Sequence, residues 1–243
     1  MAESLKISIA HLYPEHLNLY GDMGNIITII NRCKWRGIEV EYDKIGINDN
    51  ITSHDLYFIG GGQDKQQHDV AKKLFAQKSF LTDERDNNAV FLGICGGYQL
   101  FGHYYQPFDA EKLEGISLMD AYTVAGKKRF IGNVTVETDF LTPKTLVGFE
   151  NHSGLTYLQG DTKPLGKIIT GNGNNGQDGF EGARYKNVFG TYLHGSILPK
   201  NPHFTDLLIS LALEKRYCDN ITLENLDDNI ELNTHKSLVG KAY

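Results

Sequence analysis

Apolar and polar positions alternate in blocks along the first hundred residues, and the period changes from block to block. Leu5 to Leu12 reads as a buried strand, followed by a polar loop through Gly21-Asp-Met-Gly24. Asn25 to Arg36 carries Ile26, Ile27, Ile29, Ile30, Cys33 and Trp35 in a helical pattern that stops at Gly37. Ile38 to Ile45 resumes as a strand, and Asp55 to Ile59 is a short apolar strand running directly into Gly60-Gly61-Gly62. Asp64 to Lys78 and Phe80 to Asn87 read as helices, Ala89 to Ile94 as the next strand, and Gly96 to Tyr104 as helix again. Strands and helices alternating at this rhythm predict an α/β fold with a parallel, doubly wound sheet.

After about Asp109 the pattern changes. Arg129 to Thr138, Leu146 to Phe149, Leu165 to Thr170 and Lys186 to Leu193 are strand-like, with glycine-rich connections and almost no helix between them. Asn201-Pro202 then opens a helix with a cap and a first-turn proline, and Leu207, Leu208, Leu211 and Ala212 form its apolar stripe. From Asp219 onward the chain is polar, so residues 219–243 are expected to pack peripherally or fray. No repeat or linker interrupts the pattern. Residues 1–243 are therefore read as a single domain built on a mixed sheet.

Composition narrows the function classes. With 243 residues, 40% of them hydrophobic, the chain can bury a proper core. A net charge of -6 with 22% charged residues describes a mildly acidic protein and argues against nucleic-acid binding, which usually shows a basic face. No apolar run approaches the ~20 residues that span a bilayer. The opening MAESLKISIAHLY lacks a basic segment followed by an apolar stretch, so no signal peptide is expected. Cys33, Cys95 and Cys218 are odd in number and far apart, which argues against a disulfide framework or a cysteine-rich metal site. A reducing cytoplasm fits this usage best.

One of those cysteines stands in a special place. Gly93-Ile94-Cys95-Gly96-Gly97 follows a strand and opens a helix, with glycines two before and two after the thiol. That is the context of a nucleophile elbow, where a sharp, strained turn leaves no room for neighbouring side chains. The helix that follows aims its first amides and its positive dipole end at the sulfur, favouring the reactive thiolate. The amide of Gly96 is placed to donate to an oxyanion on an attacked carbonyl. A buried structural cysteine would need none of this. Acyl transfer needs a second donor, usually from the loop after a neighbouring strand, and Gly60-Gly61-Gly62-Gln63 offers unhindered amides there. A phosphate-binding loop is disfavoured, because neither GxGxxG nor GxxxxGK[ST] is present.

A thiolate also needs a proton shuttle. His54, His68, His103, His203 and His235 lie in polar contexts and are expected to be solvated, while His11 and His16 flank a loop. His194, in Gly190-Thr-Tyr-Leu-His-Gly195, ends an apolar strand, where an open α/β fold mounts its site residues. His152, in Gly148-Phe-Glu-Asn-His-Ser-Gly154, is its rival, and the residues alone give His194 only a slight lead.

GICGGYQ resembles the nucleophile motif G-x-C-x-G-x-Q of the class I, triad-type glutamine amidotransferases. GTYLHG and GFENHSG are similar to the branch that contains cobyric acid synthase glutaminase domains. LNLYGDMGN, FIGGGQD, KRFIGN, TGNGNN and YKNVFGTYLHGSILPKN extend the resemblance to the glutaminase subunits of lipid II isoglutaminyl synthases, from about Leu17 to Asn201. The resemblance implies a three-layer, flavodoxin-like fold with a mostly parallel mixed sheet flanked by helices. It implies Cys95 as nucleophile, His194 as base, and Gly96 with Gly61 or Gly62 as the oxyanion hole. Gln99, Arg129, Gln63, Asn151 and His152 would meet L-glutamine. It further implies a Mur-ligase-like, ATP-dependent partner subunit of the MurT type in a heterodimer, so ATP and Mg would belong to the partner and no cofactor or metal to this chain.

One departure bears on mechanism. Most triad-type amidotransferases carry H-x-E, whereas His194-Gly195-Ser196 places serine where the glutamate would be. The resemblance implies that an aspartate of the partner fills that role and that the isolated chain is a weak glutaminase. Competing expectations are a glutaminase serving another acceptor, a non-catalytic regulatory scaffold, and a cysteine hydrolase that shares the elbow. Gln99 is the residue that argues against the last of these.

Overall fold

The computed structural model describes residues 4–18, 21–62 and 64–242, the side chains of residues 64–66 excepted. Its first half alternates as the sequence pattern requires. The strand β1 (Lys6–Leu12) leads to α1 (Met23–Trp35), β2 (Glu39–Ile45) and β3 (Leu56–Ile59). Two helices follow, α2 (Asp64–Ala76) and α3 (Lys78–Asp86), then β4 (Val90–Ile94) and the short α4 (Gly96–Phe101). The second half adds β5 (Tyr104–Gln106), β6 (Leu113–Glu114), β7 (Ala121–Glu137), β8 (Thr145–Leu158), β9 (Gly166–Thr170), β10 (Phe180–Glu181), β11 (Ala183–Tyr185) and β12 (Val188–Thr191). Three helices close the chain: α5 (Ile197–Lys200), α6 (Pro202–Tyr217) and α7 (Asn229–Leu238).

Six strands form the first sheet in the order β11-β12-β4-β3-β1-β2, parallel except for β11 at one edge. Its alternating side chains serve two cores. Ile7, Ile9, Leu56, Phe58, Val90 and Leu92 pack with Ile26, Ile29, Phe204 and Leu208 from α1 and α6. Ala10, Leu12, Tyr57, Ile59 and Phe91 pack on the other face with Val70, Leu74 and Leu81 from α2 and α3. A parallel sheet buried on both faces accounts for the nearly continuous apolar runs of β3 and β4.

The mixed α/β class is present, with the antiparallel strands gathered into a second sheet, β10-β9-β7-β5-β6, to which β8 adds by pairing with β7. The strand expected at Arg129 starts earlier, at Ala121. An irregularity between Ala125 and Phe130 exposes Lys127, Lys128 and Arg129 and breaks the alternation there. The helix after Cys95 ends at Phe101, short of Tyr104, because Gly102 packs against the start of β7. A Cβ on Gly102 would lie 2.6 Å from the Ala121 carbonyl oxygen.

The polar tail packs against the rest of the chain. Arg32, only 2% exposed, pairs with Asp206 of α6 (Nε to Oδ1, 2.7 Å) and with Asp228 just before α7 (Nη1 to Oδ1, 2.5 Å). His235 of α7 is buried, with Nδ1 donating to the Lys200 carbonyl at 2.9 Å and Nε2 2.8 Å from the Thr145 hydroxyl. A polar segment is ordered here by long-range partners that its own composition does not reveal. Replacing Arg32 with alanine leaves two carboxylates facing each other, so Arg32→Ala should lose about 3 kcal/mol of stability in denaturant titrations. It should also open the chain to limited proteolysis between Cys218 and Asn229.

Candidate active site

β3, β4 and β12 lie side by side, with Ile59 opposite Gly93 and Ile94 opposite Thr191. Their carboxyl ends deliver the glycine run, Cys95 and His194 to one edge of the sheet, where open α/β folds bind ligands. Cys95 turns β4 into α4 with φ 50° and ψ -103°. A residue with a Cβ rarely adopts such angles, and the cost is roughly 1–3 kcal/mol. Its N–H donates to the Thr191 carbonyl at 2.9 Å, and its own carbonyl accepts from Gln99 N–H at 3.0 Å. The flanking glycines are required by space. A Cβ on Gly93 would lie 2.7 Å from the Phe101 ring, and one on Gly97 2.5 Å from the Ile59 carbonyl oxygen.

The glycine run closes over this turn. A Cβ on Gly61 would lie 3.4 Å from Cys95 Cβ and 3.4 Å from His194 Cε1, so the thiol-bearing and imidazole-bearing side chains approach one point on the loop. The amide nitrogen of Gly62 is 3.2 Å from where a Cβ on Gly96 would stand, which brings Gly62 and Gly96 together beside the thiol. Gly61 needs a correction. Its N–H donates to Asp22 Oδ2 at 2.8 Å, so it is engaged away from Cys95, and Gly62 and Gly96 remain as the neighbouring donors.

His194 is 1% exposed and is fastened to β8 by two backbone bonds with Phe149 (2.7 and 3.3 Å). Burial pushes its pKa down to about 4, and the positive charges of Arg129 and Lys200 push the same way, so the ring is neutral over most of the pH range. Ser196, at φ 47°, donates its hydroxyl to the Gly21 carbonyl at 2.5 Å. His152 is placed differently. Its ring stacks on Tyr192 with centroids 3.6 Å apart, and Nδ1 donates to the Gly154 carbonyl at 2.8 Å. Burial lowers its pKa to about 3. It is a core histidine packed on Tyr192, whereas His194 is the one that shares the Gly61 position with Cys95.

Gln99 is buried, with Oε1 accepting from Gln67 at 3.0 Å and Nε2 donating to the Tyr192 hydroxyl at 3.2 Å. It therefore ties α2, α4 and the approach to His194 together, rather than projecting toward solvent. Arg129 is exposed, donates through Nε to Asn151 Oδ1 at 2.6 Å, and acts electrostatically on His194 and His152. Gln63 lies outside the described residues. His54 and His235, expected in solvent, are both buried, held by Asp43 and Thr52 and by Thr145 and Lys200 respectively. Sequence reasoning missed Asp22, Gln67 and Tyr192. Among the described residues no group of three or more His, Cys, Asp or Glu side chains is arranged to hold a metal ion, and no helix is long and apolar enough to cross a membrane.

A strained cysteine elbow, a glycine loop and a strand-end histidine on a parallel sheet fit glutamine amidotransferases, and residues 8–202 match the CobB/CobQ-like glutamine amidotransferase domain. The chain belongs to that family. A GatD subunit of lipid II isoglutaminyl synthase (glutamine-hydrolyzing) from Staphylococcus aureus is 40% identical over 241 residues, 98% of this chain and 96% of that protein. The GatD subunit of Streptococcus pneumoniae is 40% identical over 226 residues, 92% of this chain and 86% of its own length. A probable cobyric acid synthase of Methanococcus maripaludis is 33% identical over 183 residues, 71% of this chain but 36% of the relative. A glutamine amidotransferase structure from Thermotoga maritima shares the fold, with a TM-score of 0.55 at 17% identity, covering 96% of this chain and 93% of that one.

Burial makes this amidotransferase acid-sensitive. His11, His194 and His203 are pushed down to about 4 and His152 to about 3, all chiefly by desolvation. Depressed histidines hold the fold above the unfolded value of about 6.5 and lose that contribution as pH falls, because the unfolded chain takes up the protons. Asp22 and Glu181, both raised to about 7 chiefly by burial, act in the opposite sense. These four histidines, with His235 lowered in the same way, outnumber the two carboxylates, so unfolding takes up protons as pH falls from about 6 to 4.5. The denaturation midpoint should therefore fall steadily across that window; a flat or rising midpoint contradicts the burial argument.

Proposed function

We propose that this amidotransferase is the glutaminase subunit of a lipid II isoglutaminyl synthase. His194 takes the proton of the Cys95 thiol, and the thiolate attacks the side-chain carboxamide carbon of L-glutamine. The amides of Gly62 and Gly96 meet the oxyanion of the tetrahedral adduct. As the carbon–nitrogen bond breaks, His194 returns its proton to the leaving nitrogen, giving ammonia and a thioester. Water, deprotonated by His194, then attacks the thioester; glutamate leaves and the thiol is restored. Arg129, braced by Asn151, binds the carboxylate of the substrate. The observation that carries this reading is the approach of Cys95 and His194 to the same point on the glycine run, with Cys95 held at an angle that no ordinary core cysteine requires.

The choice of acceptor is supported by the two GatD relatives, which this chain matches over nearly their full length. On this reading the ammonia passes, in the cytoplasm, to a Mur-ligase-like ATP-dependent partner of the MurT type. With ATP and Mg²⁺, that partner activates the α-carboxylate of the stem-peptide D-glutamate as an acyl phosphate, and ammonia displaces the phosphate to give D-isoglutamine. This chain contributes no cofactor of its own.

Two outcomes test the scheme on the complex. Cys95→Ala should reduce glutamine-dependent amidation of lipid II on the order of a thousandfold or more. Ammonium-driven amidation should remain at the wild-type rate, and its loss would break the division of labour. Serine at position 196 leaves no H-x-E carboxylate beside His194. An aspartate of the partner would supply it, so glutamine hydrolysis should rise roughly tenfold or more when the partner binds. Equal turnover with and without the partner removes that aspartate from the mechanism.

A further inference from the structure

The segment Gly21-Asp-Met-Gly-Asn25 has no place in the chemistry above, yet it touches both halves of the site. Asp22 is 0% exposed and sits at the start of α1, but its side chain makes no cap to its own helix. Instead Oδ2 accepts the Gly61 N–H at 2.8 Å, and the same oxygen lies 2.8 Å from where a Cβ on Gly60 would stand and 3.6 Å from one on Gly61. The carboxylate thus fills the space behind the glycine run, and that run can approach it so closely only because it lacks side chains. Two further bonds lead to the histidine. The Gly21 carbonyl accepts from Ser196 Oγ at 2.5 Å, and Asn25 Oδ1 accepts from Leu198 N–H at 3.0 Å. Gly24 is pressed against Ser196 so tightly that a Cβ there would collide with its hydroxyl.

We propose that Asp22 is a positioning residue for the oxyanion hole: it turns the Gly61 amide onto itself, which fixes Gly62 beside Gly96, and its own turn clamps that loop to the chain that follows His194. The inference rests on the glutaminase reading. A side chain that only filled a core would need no acceptor at this place, whereas a loop of three glycines has no stiffness of its own and needs an external tether. The tether is a single acceptor oxygen, so asparagine can replace it. Burial raises the carboxyl to about 7, which makes a neutral side chain tolerable in the same space.

The test uses the chain in complex with its ligase partner, with wild type and Cys95→Ala as references. Asp22→Ala should lower kcat for glutamine hydrolysis about 10- to 100-fold, the scale set by small misplacements of catalytic groups. KM for glutamine should stay within about threefold, because the tether holds the glycine run and makes no hydrogen bond to Arg129 or Asn151. Asp22→Asn should recover most of the lost kcat, and ammonium-driven amidation should match wild type in both variants. Unchanged kcat in Asp22→Ala overturns the proposal, as does an asparagine variant as impaired as the alanine one. A KM rise without a kcat loss also overturns it. If wild type itself fails to hydrolyse glutamine, the glutaminase reading has failed instead, and the two failures are told apart by that reference.

Discussion

The backbone of Cys95 is held where a side-chain-bearing residue does not rest by choice, and the architecture around it exists to keep it there. The strain is local, but the restraint is not. β4 enters the turn from the middle of a parallel sheet, and the amide and carbonyl of Cys95 are taken by Thr191 on one neighbouring strand and Gln99 in the following helix. The Gly97 amide donates to the Gly60 carbonyl at 3.1 Å, so the other neighbouring strand holds the far side of the turn. Three strand ends are thereby fixed relative to one another before any ligand arrives. Moving any one of them disturbs all three.

Burial does the electrostatic work around this turn. His194, His152, Asp22, Glu181 and Tyr192 are all biased by desolvation toward their uncharged forms. A neutral interior leaves the imidazole able to accept a proton, and it strengthens whatever donors face a developing oxyanion, because little water competes with them. Arg129 stands outside this shell as an exposed cation that donates to Asn151 on the neighbouring strand. The polar Gln67–Gln99–Tyr192–Thr156 chain pairs some of the hydrogen-bonding groups that such a dry site would otherwise strand.

What could be read in the sequence was whatever is local. The alternation through β1 to β4 is a period-two pattern with both faces buried, and the cysteine elbow lies within five consecutive residues. His194 and His152 were nearly indistinguishable by local context, because what separates them is register: one follows β12 to the sheet edge and pairs with Phe149, the other lies flat on Tyr192. Asp22 was invisible as a site residue because its partner is 39 positions away on a different loop. Whether the tail packs or frays was left open for the same reason. Its anchors, Arg32 and Lys200, belong to other elements, and neither hydropathy nor propensity encodes that pairing.

The two sheets divide the site between them, and the division explains why the second half of the chain abandons the alternating pattern. The parallel sheet carries the groups that must be rigid, since its strand ends are set by crossover connections buried on both faces. The β7–β8 pair carries Arg129 at the end of its irregular stretch and Asn151 just beyond it, opposite Ile131, with Phe130 facing His152 in register. An antiparallel pair can bend at such a stretch without unpicking its neighbours, so its side chains can be re-aimed there while the elbow stays fixed. The Phe149–His194 bridge is the joint between the two systems. Through it the β7–β8 pair is tied to the segment that carries His194, and the α7 contacts at Thr145 and Lys200 brace that joint from behind, at the start of β8 and the end of α5.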